Sequence, residues 1–543
     1  MLQTLQQYFE TAPKNGFWIK VLIMMLAGIS MKLISPPIGW YELHWFNLIP
    51  AFLCLRSHHL KENALLMYVF GISLIASNYY WISESIIAFS NLPTIIAWAC
   101  VLGYAVLYAI PFALLGWGVH WSRQKFGFQW IWLLPGLQVM LEQLWPALFP
   151  YYHGALFYRS PITWQFASIF GVTGVTYLIF LSNALGTELI WSKLEKQPIF
   201  RKDHLFATLI FIGHLIFGWQ RYQSVENTLQ EAPTLKAAIL QQNVTMQHRL
   251  ERNPWYAIRD WSKQTLEVAR QKPDLVVWPE GALGGPINPN DETPTRILEG
   301  KSLKQFFGEL ASNNDFSLLI GGGTVTFHDE LDDEGYPTYT AYNSCYLFDN
   351  AGEIAGRYDK MVPLPFGEYI PFSETFPILR KIIKGPGNFR AGDTVTYFKA
   401  KSDDLEYTFS TPICYEAILN SQMRKMSNAD LFINITNDAW FGDTAAPHQH
   451  AMLATVQSME WGRPMLRLAY TGVSFVVEPH GNILYETKPF EDVTKTGDIR
   501  MTSIPTIYRK GGWVFPWIWS IIWSTLLIWA LREYHQKRIS NHH

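Results

Sequence analysis

The chain has 543 residues, 49% of them hydrophobic and only 16% charged, with a formal net charge of −2 at pH 7. Soluble domains carry about 25% charged residues, so this composition points to a membrane protein, and the near-zero charge excludes a general attraction to nucleic acid. The 23 tryptophans fit an interfacial aromatic belt.

From the N-terminus, Met1–Gly16 contains Glu10 and no cleavage-like site, so the first apolar segment is expected to be a retained anchor. Candidate membrane spans are Phe17–Leu33, Gly39–Leu55, Ala64–Trp81, Ile95–Trp117, Trp130–Leu148, Trp164–Trp191, His204–Trp219 and, alone near the C-terminus, Trp513–Leu531. Gly39–Leu55 carries Glu42 and His44 and is read as beginning later or dipping in as a short segment. Arg56 and Lys61 lie in one connecting loop, Arg123 and Lys125 in another, and Lys193, Lys196, Arg201 and Lys202 in a third; Arg532, Lys537 and Arg538 lie in the tail. The loops between them, around Ser35–Trp40 and Ser77–Thr94, carry no Lys or Arg, and Tyr151–Thr163 has only Arg159. The positive-inside rule then makes both termini cytoplasmic, calls for about eight spans, and puts Arg221–Thr506 outside the cytoplasm. The expected domains are a transmembrane helical domain of about seven spans (1–221), an extracytoplasmic domain (222–506), and a C-terminal transmembrane helix with a cytoplasmic tail (507–543).

The outer segment reads as one α/β domain. Strand-like runs are Leu235–Val244, Leu275–Trp278, Phe316–Val325, Ser344–Phe348, Ile354–Asp359, Phe409–Ile413, Leu431–Ile435, Leu466–Val477 and Ile483–Tyr485. Helix-like runs are Trp255–Arg270, Leu303–Ser312, Ala417–Met426 and Gln449–Trp461. Leu431–Ile435 is apolar enough for a strand buried on both faces, and the mixture suggests a sheet-on-sheet core covered by helices. Pro286–Pro294 and Gly385–Gly387 read as loops. Gly321-Gly322-Gly323 lacks the Lys-Ser/Thr of a phosphate loop and reads as a strand-end turn.

Three side chains at strand ends suggest chemistry. Cys414, in Thr411-Pro412-Ile413-Cys414-Tyr415-Glu416, is open to three readings: a small buried hydrophobe, a disulfide partner of Cys345 in an oxidising space, or a nucleophile. A strand-to-helix junction there would set backbone N–H groups beside the sulfur, lowering the thiol pKa and holding an oxyanion. Glu280, after Leu275–Trp278, is either a solvated turn carboxylate or a general base. Lys360, after Ile354–Asp359, is either a surface charge or the cation beside a forming oxyanion. Glu368 would orient Lys360 or a substrate amine, or be a loop charge. His448, His450 and His480 are weighed as metal ligands, but no Cys or carboxylate pattern accompanies them. The four cysteines, Cys54, Cys100, Cys345 and Cys414, show no zinc-type spacing. No metal and no cofactor is expected.

The contexts of Glu280, Lys360 and Cys414 resemble the nitrilase, or carbon-nitrogen hydrolase, superfamily with its Glu-Lys-Cys triad. The match is closer to the apolipoprotein N-acyltransferase family of the bacterial inner membrane. It is carried by Pro363-Leu364-Pro365-Phe366-Gly367-Glu368-Tyr369-Ile370-Pro371, by Asn437-Asp438-Ala439-Trp440-Phe441-Gly442-Asp443, by Pro447-His448-Gln449-His450 and by Glu460-Trp461-Gly462-Arg463-Pro464. The resemblance implies a polytopic α-helical membrane domain joined to a nitrilase-like α/β domain, an αββα sandwich. It implies Glu280 as general base, Lys360 as oxyanion-stabilising lysine and Cys414 as nucleophile, with Asn343, Glu368, Tyr415, Glu416 and Trp440 binding substrate or supporting the site; the histidines become structural. Where the family commonly has Thr or Ser after the base, this chain has Gly281; Tyr470 stands where Asn is common; Leu250 stands where Trp is common, with Trp255 the nearest candidate.

The activity so implied is transfer of an acyl chain from a membrane phospholipid, through a cysteine thioester and with ping-pong kinetics, to the N-terminal amine of a diacylated lipoprotein. The expected enzyme is a multi-pass inner-membrane monomer with its catalytic domain on the periplasmic side. Ile370–Leu379 and Ile382–Phe389 would be lids touching lipid. Two other readings stand beside it: a membrane-tethered amidase or nitrilase that uses water as acceptor, and a transporter or receptor. Transport is disfavoured because the few charges within apolar segments, Lys32, Glu142 and Glu188, lie toward ends or in mixed stretches.

Overall fold

The computed structural model describes residues 14–56, 59–90, 92–198, 201–244, 254–283, 297–298, 300–331, 335, 337–379, 388–402 and 405–540. Leu250, Pro286–Pro294, Gly385–Gly387 and most of Ile382–Phe389 lie outside them. The chain forms two compact units. One draws on the described residues of Met1–Ser83, Ile95–Tyr222 and Thr506–His543; the other draws on those of Glu84–Thr94 and Gln223–Pro505.

The first unit is a polytopic α-helical membrane domain. Among the described residues, five helical runs are long and apolar enough to cross a bilayer: Gly16–Ile34, Leu60–Asn78, Thr94–Leu144, Ala167–Leu194 and Gly512–Glu533. At about 1.5 Å per residue the 51-residue run far exceeds one crossing, and it divides into helices Thr94–Tyr108, Ile110–Phe126 and Trp130–Leu144. The expected span His204–Trp219 lies in helix Lys202–Gln230, where His204, His214 and the charged flanks dilute the hydropathy.

Gly39–Leu55 is not a continuous helix. It consists of a 3₁₀ turn at Tyr41–Trp45, a short helix at Ile49–Leu53 and a second turn at Cys54–Arg56. Asn183 satisfies part of its broken backbone, accepting from Leu48 N–H at 2.9 Å and donating to the His44 carbonyl at 2.8 Å. Non-helical backbone of this kind is tolerated in a membrane protein only where protein supplies such partners.

The second unit is the αββα sandwich. Its strands are β1 (Thr234–Gln241), β2 (Leu275–Trp278), β3 (Ile297–Leu298), β4 (Lys301–Ser302), β5 (Ser317–Leu331), β6 (Pro337–Phe348), β7 (Ile354–Asp359), β8 (Phe398–Lys401), β9 (Glu406–Ser410), β10 (Leu431–Thr436), β11 (Met465–Ala469), β12 (Phe475–Val477), β13 (Ile483–Glu486) and β14 (Val493–Arg500). One six-stranded sheet runs β14-β1-β2-β5-β6-β7 and the other β13-β12-β11-β10-β9-β8; β3 and β4 form a small hairpin. Every residue of β2, β10 and β11 is buried, as strands covered on both faces require. On the first sheet, Ile258, Trp261 and Val268 of helix Pro254–Ala269 and Phe307 of helix Leu303–Ser312 pack with Val276, Trp278, Leu318 and Phe348. Helix Leu303–Ser312 starts with a capping box between Ser302 and Gln305.

The expected run Leu466–Val477 is two strands, β11 and β12, that reverse direction and pair antiparallel. Gly321-Gly322-Gly323 is no turn: it lies within β5, paired with Cys345, Ser344 and Asn343 of β6.

Candidate active site

The parallel strands β2, β9 and β10 end toward one region, as carboxyl ends of strands in α/β folds do at their sites. Glu280 follows β2, Lys360 follows β7, Cys414 follows β9 and Asn437 follows β10. All four are buried.

One amide ties the carboxylates together. Asn343, on β6, donates its Nδ2 to Glu280 Oε1 at 2.7 Å and to Glu368 Oε1 at 2.6 Å. Lys360 Nζ donates to Glu368 Oε2 at 2.6 Å and stands 3.5 Å from Glu280 Oε1. The second Glu280 oxygen accepts from Asn437 N–H at 2.8 Å. Glu368 Oε2 also takes the Leu364 N–H at 2.6 Å, closing the loop that carries it. Lys360 is 1% exposed. Burial alone would pull its pKa down, but Glu368 and Glu280 outweigh that and hold the ammonium above its ordinary value. This lysine is therefore a fixed cation.

Cys414 is a free thiol, as is Cys345, so the disulfide reading does not hold. Its backbone has φ +52°, a left-handed conformation that costs a non-glycine residue roughly 1–2 kcal/mol. The residues after it form a one-turn 3₁₀ segment, Cys414–Ile418, before helix Asn420–Met426. The expected regular helix N-terminus at the sulfur is absent. Burial pushes the thiol pKa up, the Glu280 carboxylate adds to that, and Lys360 only partly opposes it. The thiol is thus not ionised in advance.

Glu416 and Tyr415 follow, both buried. Glu416 Oε1 accepts from Tyr358 OH at 2.8 Å, Met361 N–H at 2.7 Å and Val362 N–H at 3.0 Å, and Oε2 accepts from Ile413 N–H at 2.8 Å. A single carboxylate thereby joins the loop after Lys360 to the loop before Cys414. Burial pushes it up to about 7, against the pull of Lys360 and of these donors. Trp440 sits half-buried on the 3₁₀ turn Ala439–Phe441.

Gly281 has φ +64°, a conformation that glycine adopts without steric cost. Tyr470 is a core residue, its ring 5.5 Å from that of Trp261. Phe366, Phe372, Phe376 and Ile378, in the loop after Lys360, are exposed.

Sequence reasoning overlooked a second buried layer. Arg467, on β11, donates Nη2 to Asp438 Oδ2 at 2.8 Å, and His450 Nδ1 lies 2.8 Å from Asp438 Oδ1. Although burial raises the Asp438 pKa, Arg467 and His450 hold it below the usual carboxylate range. The visible signal was an arginine inside the apolar run Met465–Ala469, where a charge must be paired. His480 is elsewhere, grouped with Glu226 and Glu478. Arg500 donates to both of those carboxylates, so a guanidinium already fills the place a cation would take.

The carbon-nitrogen hydrolase model matches residues 236–508, half of the chain, and the model described as the apolipoprotein N-acyltransferase N-terminal domain matches residues 27–185. A protein of Geobacter metallireducens named apolipoprotein N-acyltransferase is 26% identical over 94% of this chain and 94% of its own length. One of Rhizobium rhizogenes with the same name is 29% identical over 88% of this chain and 90% of its own. Among solved structures, an amidase from Nesterenkonia sp. shows 16% identity over 51% of this chain and 92% of its own, with a TM-score of 0.34.

Proposed function

Because this chain belongs to the carbon-nitrogen hydrolase family, we propose that it is an apolipoprotein N-acyltransferase that completes lipoprotein maturation at the membrane. The observation that carries this reading is the buried Lys360 ammonium held between the Glu280 and Glu368 carboxylates in a chain that also carries long apolar helices. Domain extents of 1–221, 222–506 and 507–543 go with it.

Glu280 takes the proton from the Cys414 thiol, which burial keeps protonated at rest. The thiolate attacks the ester carbonyl of a phospholipid acyl chain. Lys360 faces the resulting oxyanion with a positive charge that does not need to reorganise. The intermediate collapses: the C–O bond breaks, Glu280 returns the proton to the leaving lysophospholipid oxygen, and a Cys414 thioester remains. The α-amine of the diacylglyceryl-cysteine then attacks the thioester and gives its proton to Glu280. The C–S bond breaks, an amide forms, and the thiolate recovers the proton. One site used in turn by two substrates makes the kinetics ping-pong. In this reading Asn343 and Glu368 orient Glu280 and Lys360, Glu416 holds the two loops together, and Tyr415 and Trp440 line the substrate path. The enzyme works as a monomer in a bacterial inner membrane, its catalytic domain periplasmic and both termini cytoplasmic. The loop-charge alternation supports that orientation.

The test is Cys414→Ser with labelled phospholipid and a diacylated lipoprotein acceptor. Full N-acylation by this variant would sink the mechanism. Trapping of a Cys414 acyl thioester in the wild type supports it, and release of free fatty acid without an acylated amine would instead favour a hydrolase.

A further inference from the structure

The left-handed backbone at Cys414 persists only if its surroundings over-determine it. Three contacts do so on either side of the sulfur. Asn434 donates Nδ2 to the Pro412 carbonyl at 2.7 Å. Glu416 receives the Ile413 N–H at 2.8 Å. His450 Nε2 lies 3.3 Å from the carbonyl of Cys414 itself. Behind these contacts Arg467 bonds both Asn434 and Asp438. Asn434, Asp438, His450 and Arg467 are all buried.

We propose that His450 is a positioning residue for the Cys414 nucleophile: its Nε2–H holds the Cys414 carbonyl and thereby keeps the peptide in the left-handed state that aims the thiol at Glu280. A carbonyl only accepts, so Nε2 must carry the proton. The other ring nitrogen has a partner in either protonation state: Asp438 Oδ1 at 2.8 Å as acceptor, Arg467 Nη2 at 3.1 Å as donor. The two nitrogens therefore divide the labour, Nδ1 anchoring the ring and Nε2 acting on the nucleophile's backbone. This rests on Cys414 being the nucleophile.

The division of labour gives the test. Asn places an amide near the Nδ1 position and Gln near the Nε2 position. His450→Asn keeps the Asp438 bond and loses the Cys414 carbonyl; His450→Gln does the reverse. Each purified full-length variant is measured for acyl transfer from labelled phospholipid and for Cys414 alkylation by iodoacetamide, alongside its thermal transition. The expected result is that His450→Asn lowers kcat and the alkylation rate about 100-fold with KM unchanged, while His450→Gln stays within a few-fold of wild type. Equal losses in the two variants, or a near-normal His450→Asn, overturn the proposal. If His450→Asn does not fold, ¹⁵N resonances of histidine in the wild type decide: a protonated Nε2 on His450 is required, and a lone pair there overturns it. Alkylation does not depend on the acyl substrate. A wild type unable to acylate lipoprotein therefore defeats the proposed function while leaving this inference to the Asn–Gln contrast.

Discussion

Lys360 bonds Glu368 at 2.6 Å but stands 3.5 Å from Glu280. The closer carboxylate balances the cation, and in the proposed mechanism the farther one takes the proton. Glu368→Gln removes the competing charge while keeping the shape, so Lys360 is expected to draw Glu280 into a tighter pair. The expected outcome is a kcat loss of about 10- to 100-fold with little change in KM. Glu368→Ala leaves the buried ammonium with one distant partner and costs about 3 kcal/mol of stability. Steady-state transfer from labelled phospholipid and thermal unfolding in detergent separate the two effects.

Asn343 spends one Nδ2 on two carboxylates, Glu280 Oε1 and Glu368 Oε1. Replacing it by Asp would put a third acid in the same buried space and leave both oxygens without their donor. Like charges so close cannot all ionise. Asn343→Asp should therefore have at most about 1% of wild-type transfer at pH 7, with partial recovery as the pH falls and one carboxyl takes a proton. A variant with wild-type rates at pH 7 would show that the shared amide does not matter.

What could be read in the sequence follows from where the signals lie. The buried central strands β2 and β10, Leu-Val-Val-Trp and Leu-Phe-Ile-Asn-Ile-Thr, announce themselves by apolar runs. The edge strands β8, Phe-Lys-Ala-Lys, and β14, Val-Thr-Lys-Thr-Gly-Asp-Ile-Arg, do not, because an edge half open to water has no need of apolar residues. Glu280 and Cys414 stood out because reactive residue types followed apolar runs, and Lys360 because it closed the strand-like run Ile354–Asp359. The bonds made by Asn343, the left-handed turn at Cys414 and the Arg467–Asp438–His450 layer depend on segments far apart in the chain, and no local pattern encodes them. The segment Gly39–Leu55 was apolar enough to be read as a span, yet its helix is broken and Asn183 supplies the missing partners.

Glu416 ties stability to pH. Burial raises its carboxyl from an ordinary 4.5 to about 7 in the folded protein. The folded state therefore binds a proton more tightly than the unfolded chain. The stabilisation is fully present below about 4.5 and is lost as pH rises through about 7. Across that window this group should lower stability by on the order of 3 kcal/mol. In Glu416→Gln, Oε1 still serves Tyr358, Met361 and Val362, but an amide opposes the Ile413 N–H. The variant does not share the wild type's loss of stability as pH rises and should show a flatter slope of unfolding free energy between pH 5 and 7. Denaturant titrations at several pH values check this, and equal slopes in the two proteins would count against it.

Gly321 is where a residue without chemistry positions the proposed base, Glu280. A Cβ built at this position would lie 2.3 Å from the Pro279 carbonyl oxygen and 2.9 Å from Glu280 Cα. Both neighbours are backbone, so no side chain can swing away, and strand β5 is locked on its other edge by β6. A methyl group here must therefore displace the Pro279–Glu280 peptide and with it the Glu280 carboxylate. Glu280 has three partners to lose: Asn343, Asn437 and Lys360. A shift of about 1 Å in a reacting group costs on the order of 100-fold in rate. Gly321→Ala should therefore cut kcat by about that factor with KM nearly unchanged, because the displaced atoms belong to the proposed base. Cys414 alkylation by iodoacetamide should slow in parallel, since the thiol would lose the same base. Unaltered alkylation together with a large loss of transfer would place the damage in substrate binding instead.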